Sequence, residues 1–138
     1  MKSEIVKEIT IRAPAGRVWA ALTDSPTLAA WMEDEDARIY PLPGGECSFF
    51  ESSTTGHVVN VEAPRLLEYT WRQSEWPPEW ADSRVTWELE PVGPDSTRVK
   101  LRHTDFPNES ELASHDEGWD SYWLGPMVDY LESESGRR

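Results

Sequence analysis

From His115 to Glu132 the large apolar residues Trp119, Tyr122 or Trp123, Met127, and Tyr130 or Leu131 return every three to four positions. On a repeat of roughly 3.6 residues this spacing makes one broad apolar stripe, and Asp116, Glu117, Asp120, Asp129 and Glu132 fall on the other face. The stretch predicts an amphipathic helix that must lay its aromatic side against a sheet or other helices. Ser114 followed by Glu117 fits a capping box at its start. Pro126, after Gly125, lacks the amide that would bond to residue 122 and crowds that carbonyl, so a kink is expected there. A kinked aromatic helix suits both a core strut and the wall of a pocket, and the stripe alone leaves both readings open.

The rest of the chain offers that helix a sheet. Residues 4–12 alternate with period two and place Ile5, Ile9 and Ile11 on one face of a strand. Ala13-Pro14-Ala15-Gly16 ends it, and Val18, Trp19 and Leu22 then mark a short helix opened by proline. Thr23-Asp24-Ser25-Pro26 turns into a second short helix, Thr27 to Trp31. After the acidic connection Glu33-Asp34-Glu35-Asp36, strands are expected over 37–42, 46–51 and 57–62, with Ser52 to Gly56 as a hairpin loop. Leu67, Tyr69 and Trp71 alternate with Glu68, Thr70 and Arg72, the clearest strand pattern of the chain. Val85, Trp87 and Leu89 form one face of the next strand, and Val99, Leu101 and His103 one face of the last. On their outer faces Glu88 and Glu90 stand against Arg98, Lys100 and Arg102, as on the solvated side of an antiparallel sheet. Between the two clearest strands, residues 73–82 hold Trp76-Pro77-Pro78 and Trp80; a lid over a cavity and simple packing on the sheet edge both fit.

At 138 residues the chain reads as one domain over residues 1–134 with a disordered tail, 135–138, and at this size a single core is feasible without staples. One cysteine, Cys47, excludes an internal disulfide and a thiol metal cluster. Met1-Lys2-Ser3-Glu4 leads straight into a strand pattern, and no apolar run approaches bilayer-spanning length, so a cytoplasmic protein is expected. A formal charge of -13 disfavours nucleic acid and anionic membranes as partners and reads first as solubility.

In this order of elements the chain resembles the START-related superfamily often called SRPBCC, and within it the bacterial relatives of the activator of the heat-shock chaperone ATPase. The matching pieces are Ile9 to Pro14 with Val18 to Leu22, Pro43-Gly44-Gly45, Val61 to Trp71, Ser83 to Leu89, and His115 to Trp119 with Tyr122. The resemblance implies an α+β helix-grip fold in which a curved antiparallel sheet wraps a long C-terminal helix. It also implies a hydrophobic cavity between them for a small apolar ligand, lipid-like or polycyclic. The residues expected to face it are Phe49, Tyr69, Trp71, Trp87, Leu101, His103, Trp119, Tyr122, Trp123 and Met127, with Trp76 and Trp80 as the lid. Eukaryotic activators carry an additional N-terminal chaperone-binding domain, whereas this chain starts at its first strand, so a full co-chaperone role is not expected.

Only three histidines are available for acid–base chemistry. His103, with Asp105 nearby in sequence, is the one candidate for a catalytic group; His115 beside Asp116 and Glu117 fits a cap as well as a base. No histidine or cysteine spacing suits a metal, and no phosphate loop or nucleophile elbow is present, so neither cofactor nor metal is expected. The favoured reading is a non-enzymatic binding protein, monomeric or homodimeric. Its rivals are an enzyme similar to polyketide cyclases and aromatases, with His103 or a tyrosine assisting proton transfer, and an interaction module for a chaperone or regulator anchored by Trp76 and Trp80.

Overall fold

Residues 4–135 are described in the computed structural model, with side chains through Ser133. Strand β1 (Ile5–Ile11) is followed by α1 (Ala15–Thr23) and α2 (Ser25–Met32), then β2 (Arg38–Ile39), β3 (Glu46–Phe49), β4 (Thr54–Glu62), β5 (Leu66–Gln73), β6 (Ser83–Gly93) and β7 (Ser96–Thr104). Helix α3 (Glu109–Gly118), a π-helical turn (Trp119–Leu124) and α4 (Gly125–Ser135) complete the chain. The seven strands form one antiparallel sheet in the order β1-β7-β6-β5-β4-β3-β2. This is the expected helix-grip fold. Residues 136–138 of the expected disordered tail lie outside the described residues.

Alternation decides which face is covered. Leu67, Tyr69 and Trp71 of β5, Val85, Trp87 and Leu89 of β6, and Val99, Leu101 and His103 of β7 are all buried. The opposite face carries exposed ion pairs, Arg98–Glu90 at 2.8 Å and Arg84–Glu68 at 3.2 Å. Such pairs each contribute under about 1 kcal/mol and serve mainly to keep that face wet. The stretch expected as a strand over 37–42 pairs only at Arg38 and Ile39, since Pro41 and Pro43 have no amide for a ladder.

Two features of the C-terminal segment differ from the sequence reading. The helix begins at Glu109, not after Ser114: Asn108 caps it by accepting from the Glu111 amide at 2.9 Å. In place of a simple kink at Pro126 there is the wide turn 119–124, in which the Gly125 amide reaches back five residues to the Asp120 carbonyl. Without its own amide Pro126 cannot close a normal turn on Tyr122, and a Cβ on residue 125 would lie 3.0 Å from the Asp120 oxygen. Widening the turn has a packing consequence. Inward residues can recur every four positions, Trp119, Trp123, Met127 and Leu131, and all four are buried. A regular helix would have rotated the last of these away from the sheet. Lys7 of β1 secures the solvent side of this segment through Asp116 at 2.9 Å and Asp120 at 3.1 Å.

Candidate functional site

The rings expected to line a deep cavity pack chiefly on one another. Trp119 stands 4.9 Å from Trp123, 5.0 Å from Trp71 and 5.7 Å from Trp87 between ring centroids, and Phe49 meets Trp123 edge-on at 5.0 Å. Offset and edge-on rings at such separations are packed as in a protein core. Phe49, Tyr69, Trp87, Leu101, His103 and Met127 belong wholly to this core. What stays open is a cleft of about 340 Å³ at one end of the helix–sheet junction. Of the ten residues expected to contact a ligand, Trp71, Trp119, Tyr122 and Trp123 line it.

Burial obliges the indole N–H groups of the core to find acceptors. Trp87 donates to the Tyr69 hydroxyl at 3.0 Å, Trp119 to His103 Nδ1 at 3.0 Å and Trp71 to His115 Nε2 at 3.0 Å. An indole can only donate, so His103 Nδ1 is an acceptor and its proton sits on Nε2, 2.7 Å from Ser83 Oγ. Ser83 in turn donates to the Trp71 carbonyl at 3.2 Å. His115 is held the same way, with Nδ1 2.7 Å from the Glu111 carbonyl. His103 therefore has both ring nitrogens engaged inside the core, by Trp119 and Ser83. Burial above all, with His115 close by, pushes its pKa down from 6.5 to about 2. Burial likewise pushes the Cys47 thiol up to about 12 and the Tyr69 hydroxyl well above its ordinary value, which removes both from proton chemistry at neutral pH.

Six further cleft residues, Phe50, Ser53, Thr54, Gln73, Ser114 and Gly118, were not expected there, nor was His115. Gln73 continues the inward face of Leu67, Tyr69 and Trp71 by one more step of two, and it pairs in register with Thr54, whose hydroxyl donates to its amide oxygen. Ser114, His115 and Gly118 lie one helical turn before Trp119 and Tyr122. Both groups follow from extending the two clearest periodicities in the sequence by one step. Phe50 could not be found that way. After Phe49 the alternation sends it outward, but Phe50, Glu51 and Ser52 adopt φ angles of 54°, 57° and 70° and turn it onto Trp123 and Tyr122, at 6.1 and 6.3 Å.

Three successive left-handed residues without a glycine resist that conformation, each by roughly 1–2 kcal/mol. The turn is held from outside. Asp34, buried within the acidic connection, accepts from the Glu51 amide at 3.0 Å and from the Asp36 amide at 3.0 Å. The Ser74 amide donates to the Ser53 carbonyl at 2.8 Å. So part of the stretch expected to be a solvated connection clamps one wall of the cleft.

The expected lid is tied down away from the opening. Trp76 is only 4% exposed, donates to Glu111 Oε1 at 2.9 Å and packs against Trp80 and His115. Arg72 gathers the loop by donating to the Trp80 carbonyl at 2.7 Å and to the Pro77 carbonyl at 2.5 Å. Trp76 and Trp80 do not border the cleft. Among the described residues no three His, Cys, Asp or Glu side chains are grouped to hold a metal ion, and no helix is long and apolar enough to cross a membrane.

Comparison with known proteins places this geometry. The chain is similar in structure to an HSP90 activator from Plasmodium falciparum, with a TM-score of 0.82 and 23% identity over 98% of this chain and 97% of that one. CalU16 from Micromonospora echinospora matches with a TM-score of 0.78 and 25% identity over 93% of this chain and 73% of that one. The Aha1 dimer from Colwellia psychrerythraea gives 0.77 and 20% over 95% and 97%. Among curated protein sequences none matches. Residues 12–132, from the end of β1 into α4, fit the family described as Activator of Hsp90 ATPase homolog 1-like protein. With its START-like helix-grip fold, the chain belongs to that family.

Proposed function

We propose that this protein is a non-enzymatic carrier or receptor for a small, neutral, planar aromatic molecule bound in the cleft beside the π-helical turn. The observation that carries the reading is the composition of the wall. Phe50, Trp71, Trp119, Tyr122 and Trp123 give it ring faces, Ser53, Gln73 and Ser114 give it a polar edge, and no Asp, Glu, Lys or Arg lines it. Apolar burial against such rings supplies affinity and the few polar groups supply orientation. An acyl chain ending in a carboxylate fits less well, because the cleft offers no cation and the chain's formal charge of -13 opposes anions.

The carrier reading is favoured over a cyclase-like enzyme by the histidines. His103 is outside the cleft, and His115, though on its wall, has both ring nitrogens engaged by Trp71 and Glu111. Engagement of a chaperone is supported by the family and the fold; of the two anchors it would use, Trp76 is sequestered by Glu111, whereas Trp80 is half-buried.

Gly118 provides the test. It is helical, and a Cβ there meets nothing nearer than Tyr122 Cδ2 at 3.9 Å, so Gly118→Phe puts a ring into the cleft without backbone strain. Titration calorimetry with a panel of neutral two- and three-ring aromatics should find a ligand whose affinity falls more than about tenfold in Gly118→Phe, while thermal stability holds or rises. A ligand bound equally well by both proteins, or no binding by either, contradicts the reading.

A further inference from the structure

The buried tryptophans are not treated alike. Besides Trp71, Trp87 and Trp119, Trp31 donates to the Ala21 carbonyl at 2.8 Å and Trp76 to Glu111 Oε1 at 2.9 Å. Trp123 is 3% exposed, and its Nε1 is the only buried side-chain nitrogen or oxygen among the described residues that has no hydrogen-bond partner. It also lines the cleft and packs on Phe50. Its surroundings are the rings of Trp31, Phe49, Phe50, Trp71, Trp87 and Trp119. A ring face is a far poorer acceptor than an oxygen, so the donor is left wanting.

We propose that the cleft's ligand carries a carbonyl oxygen on a planar ring system, and that this oxygen accepts the hydrogen bond of the Trp123 indole. The inference rests on the cleft being a ligand site and specifies what the ligand must present there. Phe50 and Trp123 share the cleft wall. The Phe50 ring packs edge-on against Trp123, and it is carried by residues 50–52, whose left-handed backbone Asp34 holds in place. A planar ring entering the cleft beside Phe50 packs on the same rings and brings its oxygen to the unpaired donor. The oxygen is neutral because no cation lines the cleft to balance a carboxylate or phosphate. A planar aromatic ketone or quinone meets all three requirements.

Fluorenone and fluorene share a rigid three-ring frame and differ by the carbonyl. Titration calorimetry of the wild-type chain should show fluorenone binding about tenfold more tightly, the value of one hydrogen bond to an otherwise unpaired donor. In Trp123→Phe the ring is kept and the donor lost, and the two probes should bind within about twofold of each other. Equal affinity of the two probes for the wild-type chain overturns the inference and leaves the cleft reading standing. A fluorenone preference that persists in Trp123→Phe overturns it as well. Binding of neither probe overturns both. Should Trp123→Phe fail to fold, the wild-type chain labelled with ¹⁵N at tryptophan decides: fluorenone must shift the Trp123 indole proton downfield and fluorene must not.

Discussion

Under the middle of the C-terminal helix, Trp87, Trp119, Tyr69 and His103 pack ring against ring, and every polar atom they bring has a partner. At the Phe50 end, a few ångströms along the same helix, the same residue types behave otherwise. There a turn is held in a conformation its residues resist, one indole N–H has no acceptor, Tyr122 is 65% exposed, and a cleft stays open. Both regions are built from a tryptophan of the π-helical turn and a tryptophan of the sheet. The difference lies in whether the surrounding backbone supplies oxygens and nitrogens: β6 and β7 bring Ser83 and His103 to the first region, and the 50–53 turn brings a phenyl ring to the second. Aromatic content alone therefore does not separate core from site. Satisfaction and strain do.

The first region should dominate stability and its response to acid. His103 is neutral in the folded chain, with a pKa near 2, against 6.5 when exposed. Below pH 6.5 the unfolded chain takes up a proton that the folded chain refuses, so stability is full above that value and falls as pH drops toward 2. The loss is about 1.4 kcal/mol per pH unit, or between roughly 2 and 3 kcal/mol by pH 4.5. Urea unfolding of His103→Gln across this range should lack that component. A variant whose acid sensitivity matches the wild type would mean that the histidine is not held as described.

A smaller effect of opposite sign is expected in the second region. Glu51 has φ of 57°, where glycine is at ease, and its exposed side chain holds nothing in place, so Glu51→Gly should raise stability, by up to about 1 kcal/mol. The gain should fall short of the full strain because glycine also loosens the unfolded chain. A loss of stability in thermal unfolding would show that the turn is relaxed, and the contrast between the regions would weaken.

Alternation made the sheet legible, because a half-buried strand has to repeat with period two: Leu67, Tyr69 and Trp71 were assigned a face that the structure keeps. The helix stripe was legible for the same reason. Its start was not, since periodicity tracks burial whereas Asn108, four residues before Leu112 begins to be covered, acts through a local hydrogen bond. In the cleft, periodicity puts Trp71 on the inward face of its strand and Trp119, Tyr122 and Trp123 on the helix stripe, the family resemblance makes them ligand-facing, and Gln73 is one step of two beyond Trp71. Phe50 was out of reach, as no glycine marks a left-handed turn that is fixed by Asp34 from another part of the chain. Nor does a sequence reveal which indole will lack an acceptor, because that depends on what the fold brings within 3 Å.

The central claim is that a planar ligand enters the second region and leaves the first intact. Tryptophan indole N–H signals in a ¹⁵N-resolved NMR titration with fluorenone read this directly, since the eight tryptophans include members of both regions and others outside them. The account predicts that the signals of Trp71 and Trp123, both on the cleft wall, move together and saturate, with Trp123 moving most and Trp119, which joins the two regions, moving less, while those of Trp87 and Trp76 stay in place. Saturable movement of Trp76 and Trp80 with the cleft signals unmoved, or no movement at all, would contradict it.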